Sequence, residues 1–247
     1  ATHAELMDRV AIKFLLPELA NAGEIVSRFV TEARSARRIS SEHVAKVLDV
    51  GTDRELNAPY MVMEFLDGQD LAAVLQSRGP FPVTLAVDLI LQACEALAEA
   101  HALNIIHRDL KPANLFLSRR ADGSPSIKVL DFGICKASTG SEGAQLTAVG
   151  KVMGTVLYAS PEQLVSARDV GARSDIWSLG VVLFELLTGR CPFVGQSIGE
   201  IVAQVLHSVA PSVRALRPDV PEALDRAVAD CLSRDYQSRI PNVQALA

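Results

Sequence analysis

The chain has 247 residues, with 24 Lys and Arg against 29 Asp and Glu, and a formal net charge of −5. Hydrophobic residues make up 49% and charged residues 21%, enough apolar surface to bury a core, which excludes a disordered, collagen-like or low-complexity chain. The acidic balance argues against a nucleic-acid partner, since such proteins carry a basic face, and the length suits one large domain or two small lobes.

In chain order, Val10-Ala11-Ile12-Lys13-Phe14-Leu15 is a short apolar strand carrying one lysine. Ile25, Phe29, Val30, Ala33 and Ala36 then recur at helical spacing, with Glu32, Arg34, Arg37 and Arg38 on other faces. Val44 to Val50 and Tyr60 to Leu66 read as two strands, the second closed by the turn pair Asp67-Gly68. Beyond that turn the texture is helical. Pro82 stands near the start of a helix with Val83, Val87, Ile90, Leu91, Cys94, Leu97 and Ala98 on one face. It ends near Asn104, a residue that tolerates the left-handed conformation closing many helices. Ile127 to Leu130 is strand-like. Ile176 to Leu187 is apolar nearly all round, which predicts a buried helix stopped by Gly189. Ser197 to His207 and Pro221 to Leu232 predict two amphipathic helices. The pattern is α+β: a smaller strand-rich lobe over residues 1–66, a larger helical lobe over 67–247, and a ligand crevice between them.

Cys94, Cys135, Cys191 and Cys231 lie far apart and fit neither zinc spacing nor a dense disulfide framework. They are expected as packed, reduced thiols in a cytoplasmic setting. The longest apolar run, Val181 to Leu187, is interrupted by Glu185 and too short to span a bilayer. The chain opens on Ala1 without a signal peptide and is expected to be a fragment, any membrane anchor lying outside it.

Three segments carry chemistry: Val10-Ala11-Ile12-Lys13, His107-Arg108-Asp109-Leu110-Lys111-Pro112-Ala113-Asn114, and Asp131-Phe132-Gly133. Alone, the first is an edge strand with a lysine and the last a common turn. The middle one specifies too many positions for chance. In this order they match the signatures of one family, and the chain resembles a eukaryotic-like serine/threonine protein kinase catalytic domain, of bacterial type, from about Val10 to Arg239. The resemblance implies a two-lobed fold and ATP-dependent transfer of the γ-phosphate to Ser and Thr hydroxyls of protein substrates. Such transfer needs charge neutralisation and in-line alignment more than covalent help.

By resemblance, Asp109 orients and deprotonates the acceptor hydroxyl, Lys111 reaches the transferring phosphate, and Asn114 and Asp131 hold magnesium, or manganese in its place, through oxygen donors. Lys13 reaches the α- and β-phosphates and is steadied by Glu32, which without the later motifs would read as one more solvated charge. Met63 is the gatekeeper. The Glu64 carbonyl and Leu66 amide take the adenine edge, Ala11 and Phe116 sandwich the ring, and Asp70 falls at a ribose contact. Thr155 resembles the threonine that contacts Asp109 and Lys111. Asp175 resembles the aspartate that holds the catalytic-loop backbone, and Arg239 pairs with Glu162. His107 and His101 are expected to be structural.

Gly154 to Glu162 resembles the substrate-docking end of an activation segment, with Ser160 at a position usually held by alanine. A phosphate on that segment would meet Arg108 and Lys136, with Thr147 ranked ahead of Ser138, Thr139 and Ser141. The implied partners are ATP, protein substrates and a second copy for trans-autophosphorylation. Nothing in Ala1 to Arg9 resembles a glycine-rich phosphate lid, so weak nucleotide binding and slow turnover are expected of this fragment. Two rivals remain: a pseudokinase scaffold, and a small-molecule kinase, which would lack the Gly154–Glu162 stretch and the Asp175–Gly180 helix.

Overall fold

The computed structural model describes residues 1–2, 7–20, 22–56, 58–120, 122–132, 154–166 and 169–247. Gly133, Cys135, Lys136, Ser138, Thr139, Ser141 and Thr147 lie outside the described residues.

The first sheet is antiparallel in the order β1-β3-β2, with β1 at Val10–Phe14, β2 at Val47–Asp53 and β3 at Ala58–Glu64. Its register sets Lys13 opposite Met61 and Ala11 opposite Met63. Helix α1, Gly23–Arg37, follows β1 and buries Phe29, Glu32 and Ala33 on the sheet side. Glu24 in its first turn and Arg34 and Arg37 in its last complement the helix dipole. Phe29, Ala33, Val47 and Met61 form a small core of their own.

The predicted strand at Val44 to Val50 is displaced: β2 starts at Val47 and runs on to Asp53. The residues before it are taken by another partner. Val44 bridges to Val129, the Ala45 amide donates to the Val129 carbonyl at 3.1 Å, and the Val129 amide donates to His43 at 2.8 Å. Ile39 and Val44 accordingly pack into the larger core. The predicted strand Tyr60 to Leu66 is shifted to Ala58–Glu64, and the expected turn at Gly68 instead opens a short strand, β4 (Gly68–Asp70). Gly68 has φ +152°, and a side chain there would run into the Leu117 carbonyl.

The second sheet, β4-β5-β6, adds β5 (Leu115–Arg119) and β6 (Pro125–Val129). Between β4 and β5 come α2 (Leu71–Arg78), N-capped by Asp70 through the Ala73 amide at 2.9 Å, and α3 (Val83–Ala102). Helix α3 starts after Pro82 as expected, and Asn104 beyond its end takes φ 58°. The later helices are α4 (Pro161–Val165), α5 (Ala172–Thr188), α6 (Ile198–His207), α7 (Val213–Leu216), α8 (Glu222–Cys231) and α9 (Val243–Leu246).

Helix α5 is the axis of the larger lobe. Thirteen of its residues are buried, including Asp175 and Trp177, and it ends at Gly189 in the left-handed region, φ 76°. Gly180 lets α8 come close: a Cβ there would lie 2.5 Å from that of Cys231. Trp177 stacks on Phe193 at 5.7 Å. Cys94, Cys191 and Cys231 are buried thiols, and burial pushes Cys94 and Cys191 up to about 12, which leaves them unreactive packing groups. Among the described residues no helix is long and apolar enough to cross a membrane.

Candidate active site

The loop between α3 and β5 is built around a buried carboxylate. Asp175, in the first turn of α5, accepts the His107 amide at 2.9 Å through Oδ2 and the Arg108 amide at 2.9 Å through Oδ1. Its Oδ2 also meets His101 Nε2 at 2.8 Å. An acidic side chain at a helix N-terminus is itself favoured there. Arg108 stands at φ 67°, a conformation that costs about 1 kcal/mol for a residue with a side chain. Its peptide is gripped from both ends. Asp175 holds the amide, and the Gln163 side chain donates from Nε2 to the Arg108 carbonyl at 2.9 Å. Gln163 in turn closes a capping box with Ser160 at the start of α4. Sequence reasoning did not single out Gln163. The only cue was its place three residues after Ser160, which marks a cap and not the distant loop it reaches.

His107 is fully buried, and its bonds define the tautomer. Nε2–H donates to the Leu130 carbonyl at 2.8 Å, while Nδ1 accepts the Asp109 amide at 3.2 Å. Its ring lies 4.8 Å from that of Phe132. The expected structural role of His107 thus takes a definite form: it staples the loop that carries Asp109 to the strand end that carries Asp131. A second staple runs from the Leu130 amide to the Asn114 carbonyl at 2.9 Å.

Asp109, Lys111 and Asn114 converge. Lys111 Nζ is 3.0 Å from Asp109 Oδ2 and 3.4 Å from Thr155 Oγ1. Asn114 Nδ2 donates to the Asp109 carbonyl at 2.7 Å and to Oδ2 at 3.1 Å. With its nitrogen so committed, the Asn114 amide has Oδ1 as its remaining polar atom, the kind of donor a hard cation takes. Pro112–Asn114 forms a short 3-10 turn, which brings Asn114 back beside Asp109 despite the four residues between them.

A second group centres on Lys13. Its Nζ lies 2.7 Å from Asp131 Oδ1 and 3.5 Å from Glu32 Oε1. Burial works to lower the Lys13 pKa, but the Asp131 and Glu32 carboxylates outweigh it and hold the ammonium above its ordinary value. Glu32 is buried in α1 against the sheet, so it is not a solvated charge. Asp131 takes φ 49°, a left-handed conformation that Asp adopts more readily than most residues.

The remaining candidates fall into two sheets. Ala11 faces Met63 across β1 and β3, and Asp70 faces Phe116 across β4 and β5. Residues 65–67 join the two. Asp70 has a task that the sequence did not disclose, since its Oδ1 caps α2. Glu64 is likewise occupied: its carboxylate accepts the Lys46 amide at 2.9 Å and Lys128 Nζ at 2.8 Å.

At the start of α4, Glu162 and Arg239 pair at 2.7 and 3.2 Å, with Arg239 almost wholly buried and Ser174 Oγ donating to Glu162 at 2.6 Å. Burial pushes the Glu162 carboxyl up, but the bonds from Arg239 and Ser174 prevail and hold it below its ordinary value. Tyr158 donates to Glu185 at 2.6 Å. Among the described residues no cluster of three or more His, Cys, Asp or Glu side chains could hold a metal, so a cation here would depend on a mixed set of carboxylate and amide.

A family model described as protein kinase domain matches residues 1–247. The serine/threonine-protein kinase Pkn1 of Myxococcus xanthus is 37% identical over 98% of this chain and 34% of its own length. PrkC of Bacillus subtilis is 36% identical over 93% of this chain and 34% of its own length. PknB of Mycolicibacterium smegmatis is 38% identical over 93% of this chain and 36% of its own length. The chain thus spans about a third of these curated relatives. Among solved structures, the kinase domain of Mycobacterium tuberculosis PknI shares the fold with a TM-score of 0.73, at 23% identity, covering 99% of this chain and 85% of that one.

Proposed function

The chain belongs to the protein kinase family, and from that premise we propose that it transfers the γ-phosphate of ATP to Ser and Thr hydroxyls of proteins. The observation that carries the reading is the convergence of Asp109, Lys111 and Asn114 on one point, stapled through His107 and Leu130 to the strand end that bears Asp131. Residues 1–66 and 67–247 act as two lobes, with the nucleotide between them.

The assignment of roles follows from donor chemistry. Asp109, held by a lysine and an amide, orients the incoming hydroxyl and takes its proton. Lys111 stays beside it to meet negative charge on the phosphoryl group, and Thr155 ties that lysine to the docking segment. Lys13, steadied by Glu32, is released from Asp131 to the nucleotide phosphates. Asn114 and Asp131 would hold magnesium or manganese through oxygen. When bound, the metal neutralises phosphate charge. Met63, Glu64, Leu66, Ala11, Phe116 and Asp70 form the adenine and ribose subsite.

Relatives named as serine/threonine kinases support the choice of hydroxyl over other acceptors. Thr147 is proposed as the first autophosphorylation site, with a second copy of the chain as its partner.

The test is transfer of label from γ-labelled ATP to a generic protein substrate in the presence of magnesium, with phosphoserine and phosphothreonine recovered on hydrolysis. Asp109→Asn should abolish the label while the urea midpoint stays close to that of the parent. Nucleotide binding without transfer would favour the scaffold reading. Transfer to small alcohols and not to protein would favour the small-molecule kinase.

A further inference from the structure

We infer that Lys128 is a positioning residue for nucleotide binding: it pins the Glu64 carboxylate and, through it, the main chain that receives the adenine edge. The inference rests on the reading of Glu64 and Leu66 as the adenine-binding backbone.

Lys128 lies in β6, opposite Phe116, and Glu64 is the last residue of β3 in the other sheet. Their side chains bridge the two sheets at 2.8 Å and are mostly shielded, 15% and 26% exposed. Glu64 Oε1 accepts the Lys46 amide as well, and the Glu64 amide donates to the Lys46 carbonyl at 3.0 Å. Glu64 is therefore clamped by a two-way exchange with Lys46 and by a charge-assisted bond to Lys128. The next residue is also held from outside: the Arg9 guanidinium sits 3.6 Å from the Phe65 ring centroid. Glu64 at the end of β3 and Phe65 at the start of the connector thus both have side-chain partners.

Such clamping matters because the connector recognises its ligand with main-chain atoms. A hydrogen bond weakens steeply as its angle closes, and a loop ordered before binding loses less entropy on binding. Lys128 reaches none of the reacting groups described above, since its ammonium is spent on Glu64. Removing it should leave chemistry in place and loosen the grip on the base.

The experiment compares steady-state kinetics of the unaltered chain, Lys128→Met and Lys128→Arg. ATP is used alongside the triphosphate of purine riboside, whose base lacks the exocyclic amine that the Glu64 carbonyl would accept. Lys128→Met should raise KM for ATP about tenfold with kcat and the protein-substrate KM within about twofold, and Lys128→Arg should restore most of the loss. KM for the purine riboside nucleotide, which keeps the ring nitrogen that the Leu66 amide would meet but has no amine for the Glu64 carbonyl, should rise by a clearly smaller factor. Urea midpoints of both variants report on folding. An unchanged KM for ATP, or an equal loss with both nucleotides, or a fall confined to kcat, would overturn the inference. Absence of calorimetric ATP binding by the unaltered chain would overturn the adenine reading itself, and the inference with it.

Discussion

Two charged hubs, one centred on Asp175 and one on Lys13, are built differently. Asp175 is fully buried in the axis helix of the larger lobe, and its three bonds lie between 2.8 and 2.9 Å. Lys13 and Asp131 are 35% and 39% exposed, and the ammonium sits at 2.7 Å from one carboxylate but 3.5 Å from Glu32. Behind the first hub stands the large core. Behind the second is a cluster of four buried residues between one helix and a three-stranded sheet. The lesson is a division of labour: groups that must not move are tied by backbone bonds in a dry interior, where leaving one unmade is costly. Lys13 and Asp131, which on the function proposed above exchange partners when a nucleotide binds, are left partly in water, where such exchange is cheap.

The contrast is broken most severely by Asp175→Ala. It strips two backbone amides and an imidazole nitrogen of their acceptor in a dry site, so unfolding free energy should fall by about 3–5 kcal/mol, read from urea midpoints, with turnover lost in parallel. Should stability and turnover separate, the loop does not depend on this hub. Next comes Gln163→Leu, which removes the grip on the Arg108 carbonyl and half of the capping box. A loss of about 2 kcal/mol and a clear drop in turnover are expected.

On the other side of the contrast, Glu32→Gln should cut turnover about tenfold while lowering stability by less than about 1 kcal/mol, because the ion pair lost is long, 3.5 Å, its Lys13 end is partly in water, and the amide keeps the shape of the buried side chain. A stability loss as large as that of Gln163→Leu would erase the distinction between the hubs. The smallest effects are in pH. The Glu162 carboxyl is held below its ordinary value, so its contribution is fully present above the unfolded value near 4.3 and is lost as pH falls through the folded one. Urea midpoints between pH 6 and 3 should therefore drop by about 1 kcal/mol more in the parent than in Glu162→Gln. Lys13 has the opposite sign: its raised folded value keeps a stabilising contribution below about pH 10.4 that disappears as pH rises further, and its exposure makes that change smaller still.

The helices at Val83–Ala102 and Ile198–His207 were legible from their apolar periodicity and that at Ala172–Thr188 from a run apolar nearly all round, and the stops Asn104 and Gly189 carry their own conformational signal. The start of β2 was not, since Val44 and Ala45 look like strand residues but give their backbone bonds to Val129 in another sheet. Helix α2 and β5 carry no comparable signal. The helix is a short segment with little contrast between faces, and the strand begins directly after the asparagine of the loop motif. At the site, Asp109, Lys111 and Asn114 were visible as a spaced motif. Gln163 and Lys128 were not, for a glutamine in a capping position and a lysine in a strand have ordinary surface roles at most positions.

By itself the amino-acid order determined which chemical groups stand at short offsets from one another: an acid, an ammonium and an amide within six residues, and a lysine set into an apolar strand. Such offsets survive folding because a tight turn or a strand spans them whatever the rest of the molecule does. The hold of Asp175 on a loop 67 and 68 residues upstream was implied by the family resemblance and not by local spacing, and only the packed molecule decided which amides it takes, that Gln163 grips Arg108, and that Lys128 reaches Glu64. Those partners are chosen by which buried donors and acceptors would otherwise go unpaired once the helices and sheets have come together, and that choice has no trace in local spacing.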